Sequence, residues 1–196
     1  VTTVEGKTGY GLDKDTELKQ LKVLTELDEI APVDVIPTFL GAHSIPKEYN
    51  GRRKEYVDFV VEEVEPLASK TGAKFCDVFC DRGAFTVEEA RKILSEGEKK
   101  GMVPKIHADE IAGTGGAELA AELGAASADH LLKSSEKGLE RMKEEGVVAV
   151  LLPLTAFSLK EEYARASKMM DLDLPIALAT DFNPGSCYSE SIPLLF

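Results

Sequence analysis

Residues Val103 to Leu131 read VPKIHADEIAGTGGAELAAELGAASADHL, and the order of residue types in this stretch decides the fold. Val103–His107 is a short run read as a strand. A glycine-rich turn follows, then Gly116–Leu123, whose alanine, leucine and glutamate content predicts a helix. Ala126–Leu131 is a second short strand. A strand, a helix and a strand of these lengths imply parallel strands joined by a right-handed crossover. Each strand also carries a histidine at its end, His107 in the first and His130 in the second.

The alternation continues in both directions. Upstream, strand Thr2–Lys7 precedes helix Leu12–Ile30, with Leu18, Leu21 and Leu24 at helical spacing. Strand Val33–Leu40 precedes helix Arg53–Thr71, with Val57, Val60, Val61 and Val64 on one face. Strand Ala73–Cys80 precedes helix Thr86–Lys100, which Thr86 and Glu89 open as a capping box. Downstream come helix Ser135–Glu145, strand Val147–Leu152, a helical segment near Ser158–Met170 and strand Ile176–Thr180. Gly6 stands where a β-branched residue would suit the first strand better. From Tyr10 to Asp181, 171 residues cover six repeats, or 28.5 per repeat. A (β/α)8 barrel of about 250 residues averages roughly 31. An open doubly wound sheet would carry a glycine-rich phosphate turn after its first strand, and Gly9-Tyr10-Gly11 is too short for one. The predicted fold is therefore α/β, with seven of the eight strand–helix units of a TIM-type barrel forming one partial domain over residues 1–196. The chain opens at Val1 inside a β-branched run and stops at Phe196 inside an apolar one, which suggests a piece of a longer protein.

Composition narrows the function. The 196 residues are 43% hydrophobic, 30% charged and 7% aromatic, which argues for a globular core and against disorder, fibre or disulfide scaffold. Thirty-five acids against 23 bases give a net charge of −12, which repels nucleic acid and anionic membranes. No apolar run approaches the roughly 18–20 residues needed to span a bilayer. Cys76, Cys80 and Cys187 are too few for a disulfide framework, and Cys76-x-x-x-Cys80 is not a redox spacing. The expected compartment is the cytoplasm.

A barrel works at the C-terminal ends of its strands. The chain has three histidines, and His43, His107 and His130 all fall at such ends. Asp181 closes the last strand after an apolar run, where a charge is costly unless paired or bound to metal. Asp109 and Glu110 follow His107. Imidazoles and a carboxylate on separate strand ends suit a borderline metal such as Zn²⁺ or Fe²⁺, with further ligands expected from outside this chain.

Five stretches then carry a resemblance: Lys7-Thr8-Gly9-Tyr10-Gly11-Leu12, Thr38-Phe39-Leu40-Gly41-Ala42-His43, Ile106-His107-Ala108-Asp109-Glu110, Ser127-Ala128-Asp129-His130-Leu131 and Ala179-Thr180-Asp181-Phe182-Asn183-Pro184-Gly185. In this order the chain resembles the imidazolonepropionase family of the amidohydrolase superfamily of metal-dependent hydrolases. The resemblance numbers the strands present two to eight. It implies a first barrel strand bearing His-x-His, a following substrate-binding arginine and a small β-sandwich domain, none of which this chain contains.

The resemblance also implies roles. His107 and Asp181 would be metal ligands for one zinc or iron ion (Fe²⁺ or Fe³⁺), and Glu110, His130 and Asp181 catalytic residues. Tyr10, His43, Glu110, Asn183, Gly185 and Ser186 would contact substrate. The implied reaction is hydrolysis of the cyclic amide 4-imidazolone-5-propionate to N-formimino-L-glutamate in histidine degradation, by a homodimer. Alternatives are another cyclic-amide hydrolase or deaminase of the superfamily, or a non-catalytic barrel fragment. The chain alone is expected to be inactive.

Overall fold

In the computed structural model, which describes residues 1–196, seven strands alternate with helices, and neighbouring strands follow chain order from β1 to β7. Two compact units divide the chain, Val1–Lys105 and Ile106–Phe196.

The first unit starts with β1 (Thr3–Lys7), α1 (Lys14–Ile30) and β2 (Asp34–Ala42). β1 runs parallel to β2, with Thr3 opposite Asp34 and Lys7 opposite Thr38. β3 (Phe75–Cys80) pairs parallel with β2, and the register shifts between Phe39 and Ala42. α4 (Val87–Lys99) begins at the capping box: Thr86 Oγ1 accepts from the Glu89 amide, and the Glu89 carboxylate accepts from the Thr86 amide. Phe39, Cys76, Val78, Ile93 and Leu94 are fully buried and form the apolar centre of this unit. Gly6 has a reason in α1. A Cβ there would meet the terminal methyls of the Leu24 side chain, so a β-branched residue would have to displace that side chain. A line of charge also runs through the unit. Lys7 Nζ bonds Asp77 at 2.6 Å and Glu5 at 3.0 Å, and Lys105 Nζ reaches Glu5 at 2.9 Å.

β4 (Val103–Ala108) leads into the second unit, which continues with α5 (Gly116–Glu122), β5 (Ser127–His130), α6 (Glu136–Glu144), β6 (Val148–Leu151) and β7 (Ile176–Leu178). β5–β6 and β6–β7 are parallel pairs. Gly138 of α6 lies against Ala117 of α5, with no room between them for a side chain larger than hydrogen. Ala120, Ala128, Leu139, Met142 and Ala149 form its buried centre.

Two helices differ from the sequence expectation. Arg53–Thr71 is not one regular helix but α2 (Arg53–Phe59), a π-helical turn (Val60–Val64) and α3 (Glu65–Lys70). Pro66 explains the break, because its ring has no amide hydrogen and would strike the carbonyl of Glu62 in a tight α-turn; the wider turn relieves both. The segment expected near Ser158–Met170 is divided into α7 (Pro153–Leu159) and α8 (Ala166–Asp171). Pro153 suits a first helical turn, and Lys160 ends α7 at φ +59° in the left-handed region. No helix is long and apolar enough to cross a membrane.

Candidate active site

In the first unit, the ends of β1 and β2 bring Tyr10 and His43 together. Their rings lie 5.1 Å apart, and His43 also lies 5.9 Å from the ring of Phe79. His43 Nδ1 is 3.1 Å from the carbonyl of Gly9, which fixes the ring direction if that nitrogen carries the hydrogen. Thr8, buried just before, ties the two strand ends: its amide donates to Thr38 O and its hydroxyl accepts from the Leu40 amide. Gly9 sits at φ +109°, and a side chain there would meet Leu40 O and His43 Cβ. Only glycine allows that approach. Beneath His43, the Tyr56 hydroxyl donates to Gly41 O at 2.8 Å. Burial, then the nearby Glu17 carboxylate, pushes the Tyr56 phenol up, so it remains a donor.

In the second unit, β4 and β5 bring His107, His130 and Glu110 together. The two imidazoles are 5.3 Å apart, and Glu110 Oε1 lies 3.6 Å from His130 Nδ1. Both histidines are buried. The chain bends sharply at these strand ends. Asp109 has φ +52°, His130 φ +75° and Leu131 φ +60°, all left-handed conformations that non-glycine residues rarely adopt. The bend after His107 turns the backbone so that Glu110 faces His130.

Asp109 holds that bend. Its fully buried carboxylate accepts from the amides of Thr114, Gly115, Gly116 and Ala117 at 2.8–3.2 Å and from the Thr114 hydroxyl at 3.3 Å. Its carbonyl accepts from the Lys133 amide at 2.7 Å, and Ala108 O accepts from the Leu131 amide at 3.0 Å. These bonds tie the two strand-end loops to each other. Asp109 was visible in the sequence only as a neighbour of Glu110; its role depends on four later amides that no motif marks.

Asp129 is a second residue that the sequence did not single out. It is buried in β5, accepts from Ser127 Oγ at 2.9 Å, and has a carboxylate oxygen within 4.8 Å of a His107 ring nitrogen. The signal was an acid inside a short strand between Ala128 and His130. A buried nitrogen donor beside a buried oxygen donor suits a borderline divalent metal.

Asp181 follows β7 at φ +51° and accepts from Thr155 Oγ1 at 2.7 Å. Its carbonyl accepts from Asn183 Nδ2 at 2.6 Å. Asn183 Oδ1 then accepts from the amides of Gly185 and Ser186 at 2.8 and 2.7 Å, so the turn carrying Asn183, Gly185 and Ser186 is formed in advance.

No protein-family model matches the chain. Curated relatives do. The imidazolonepropionases of Bacteroides fragilis, Clostridium tetani and Shouchella clausii are 57%, 57% and 55% identical to it along its whole length. The chain spans about half the length of these curated relatives, 48%, 47% and 44%. Among solved structures, a Xaa-Pro dipeptidase with bound methionine matches at TM-score 0.64 and 16% identity, over 96% of this chain and 56% of that one. A guanine deaminase from C. acetobutylicum with bound guanine matches at 0.64 and 13%, over 95% and 48%. An adenosine deaminase from Xanthomonas campestris with bound zinc matches at 0.59 and 14%, over 99% and 45%. At such identities the structural likeness shows the fold, which is that of the amidohydrolase-type barrel.

Proposed function

The chain belongs by sequence to the imidazolonepropionase family, and on that footing we propose that the whole protein opens the ring of 4-imidazolone-5-propionate to give N-formimino-L-glutamate. The observation that carries this reading is the identity of 54–57% to curated imidazolonepropionases over 99–100% of the chain.

Hydrolysis adds water across a ring C–N bond. The water oxygen bonds to the ring carbon, its proton is taken up, and the ring nitrogen departs with a proton in place of the broken bond. His107 and Asp181 would hold a zinc or iron ion. The pairing of a buried His107 nitrogen with a nearby Asp129 oxygen is a donor set that such an ion accepts. When bound, the ion lowers the pKa of water toward about 7.

The chain's own residues do the rest. Asp181 takes the proton from water and delivers it to the leaving nitrogen; Thr155 holds one carboxylate oxygen and so aims the other. His130, with the Glu110 carboxylate 3.6 Å from its Nδ1, donates toward the oxygen on which charge builds at the attacked carbon. Tyr10 and His43 pack on the substrate, and the turn at Asn183, Gly185 and Ser186 receives its polar end. The same reading places a homodimer in the cytoplasm, where the buried thiols of Cys76, Cys80 and Cys187 stay reduced. A spectrophotometric assay of ring opening by the metal-replete whole protein tests the reading, with N-formimino-L-glutamate as the expected product; a folded, metal-replete enzyme that leaves the imidazolone intact overturns it.

A further inference from the structure

We propose that Glu17 is a positioning residue that sets the substrate affinity of the Tyr10–His43 pair, an inference that rests on the substrate-contacting role just given to that pair. Glu17 lies in the first turn of α1 and is only 2% exposed. Its carboxylate turns back from the helix to the loop ahead of it. Oε2 accepts from the Gly9 amide at 3.0 Å, and Oε1 accepts from the Gly11 and Leu12 amides at 2.8 and 3.0 Å. The amides immediately before and after Tyr10 are therefore held by one side chain.

Tyr10 needs such a hold. It is 50% exposed, and beside its ring contact with His43 its direction depends on the backbone that carries it. That backbone is unusual on both sides, with Gly9 at φ +109° and Leu12 at φ +58°. Conformations of this kind persist only where surrounding bonds compensate their cost. His43 depends on the same loop through its contact with Gly9 O.

Glu17 is not needed to cap its own helix. Asp13 does that, its carboxylate accepting from the Thr16 amide at 2.9 Å. The Glu17 oxygens go to the loop instead, where charged acceptors make the stronger hydrogen bonds. Without the carboxylate the loop would sample other conformations, and substrate would bind only the fraction with Tyr10 and His43 in place. Apparent affinity falls to that fraction of its intrinsic value, whereas the chemical step in the bound complex does not change.

The test is steady-state kinetics on the metal-replete whole protein for Glu17→Gln, Tyr10→Ala and His43→Ala, with thermal unfolding of each. Glutamine keeps the size but turns an amide nitrogen toward backbone donors. The expected result is KM raised about tenfold in Glu17→Gln with kcat within about twofold of the parent. A Glu17→Gln protein that melts earlier yet keeps the parental KM, or that loses kcat at unchanged KM, overturns the proposal. If KM rises in Tyr10→Ala and His43→Ala but not in Glu17→Gln, this proposal alone fails. If KM is unchanged in Tyr10→Ala and His43→Ala, the substrate role of the pair fails and this proposal with it. Should Glu17→Gln not fold, Glu17→Asp replaces it, with a smaller KM rise expected and a parental KM again overturning the proposal.

Discussion

At the residue scale, the proposed function assigns different tasks to two histidines 5.3 Å apart. In the whole protein His107→Ala should lose most of the metal and the activity together. His130→Ala should keep much of the metal while turnover falls about 10²–10³-fold, the usual cost of removing a donor that faces developing charge. Metal analysis beside turnover checks both, and full metal with full turnover in both variants would contradict the assignment. Asp109 offers a stability test. Asn in its place has one acceptor oxygen for donors that now share two, so unfolding should become easier by about 2–4 kcal/mol in a denaturant titration. An unchanged midpoint would show that the bend after β4 does not depend on this carboxylate. His107, Glu110, His130 and Asp181 were legible in the sequence as candidates because chemistry-bearing types stood at or just after the ends of short strands. Glu17 and Asp129 were not, and Asp109 stood out only as an acid after His107, because an acid that accepts backbone amides or lies within a strand is written like an acid facing water.

At the scale of elements, the strand–helix alternation was legible because apolar spacing changes from strand to helix period at every boundary. Inside the long helix of the first unit, one proline decided what periodicity could not, and Val60–Val64 became a π-turn. The same junction buries Glu65, whose carboxylate pairs with Lys100 Nζ at 3.0 Å. Burial pushes its pKa up to about 7, against the opposing pull of Lys100. A carboxyl raised in the folded state contributes stability that is fully present below its ordinary value of about 4.5 and is lost as pH rises through about 7. The difference corresponds to roughly 3 kcal/mol. Glu65→Gln should therefore flatten this part of the stability profile between pH 5 and pH 8, read by denaturant midpoints; an unchanged slope would contradict the burial of this charge. Gly6→Val separates strand propensity from packing. Propensity alone favours valine, but the contact with Leu24 predicts a loss of about 1–3 kcal/mol from overpacking. A more stable Gly6→Val protein would show that the Leu24 side chain moves aside at little cost.

For the molecule as a whole, the two units use one plan. In Val1–Lys105 the loops after β1 and β2 present Tyr10 and His43, and in Ile106–Phe196 the ends of β4 and β5 present His107, Glu110 and His130. Buried carboxylates hold the loops in both, Glu17 in the first and Asp109 in the second. The apolar strands and helices supply stability, and the bends at positive φ direct the side chains that act. In the proposed function, these strand-end residues serve ring-opening hydrolysis. The measurement that tests it most directly is product formation from 4-imidazolone-5-propionate by the metal-replete whole protein, run beside its His130→Ala variant. The expected result is N-formimino-L-glutamate in step with substrate loss, and turnover at least about 100-fold lower in the variant with its metal retained. Equal turnover by both proteins, or no product from the folded, metal-replete parent, would contradict it.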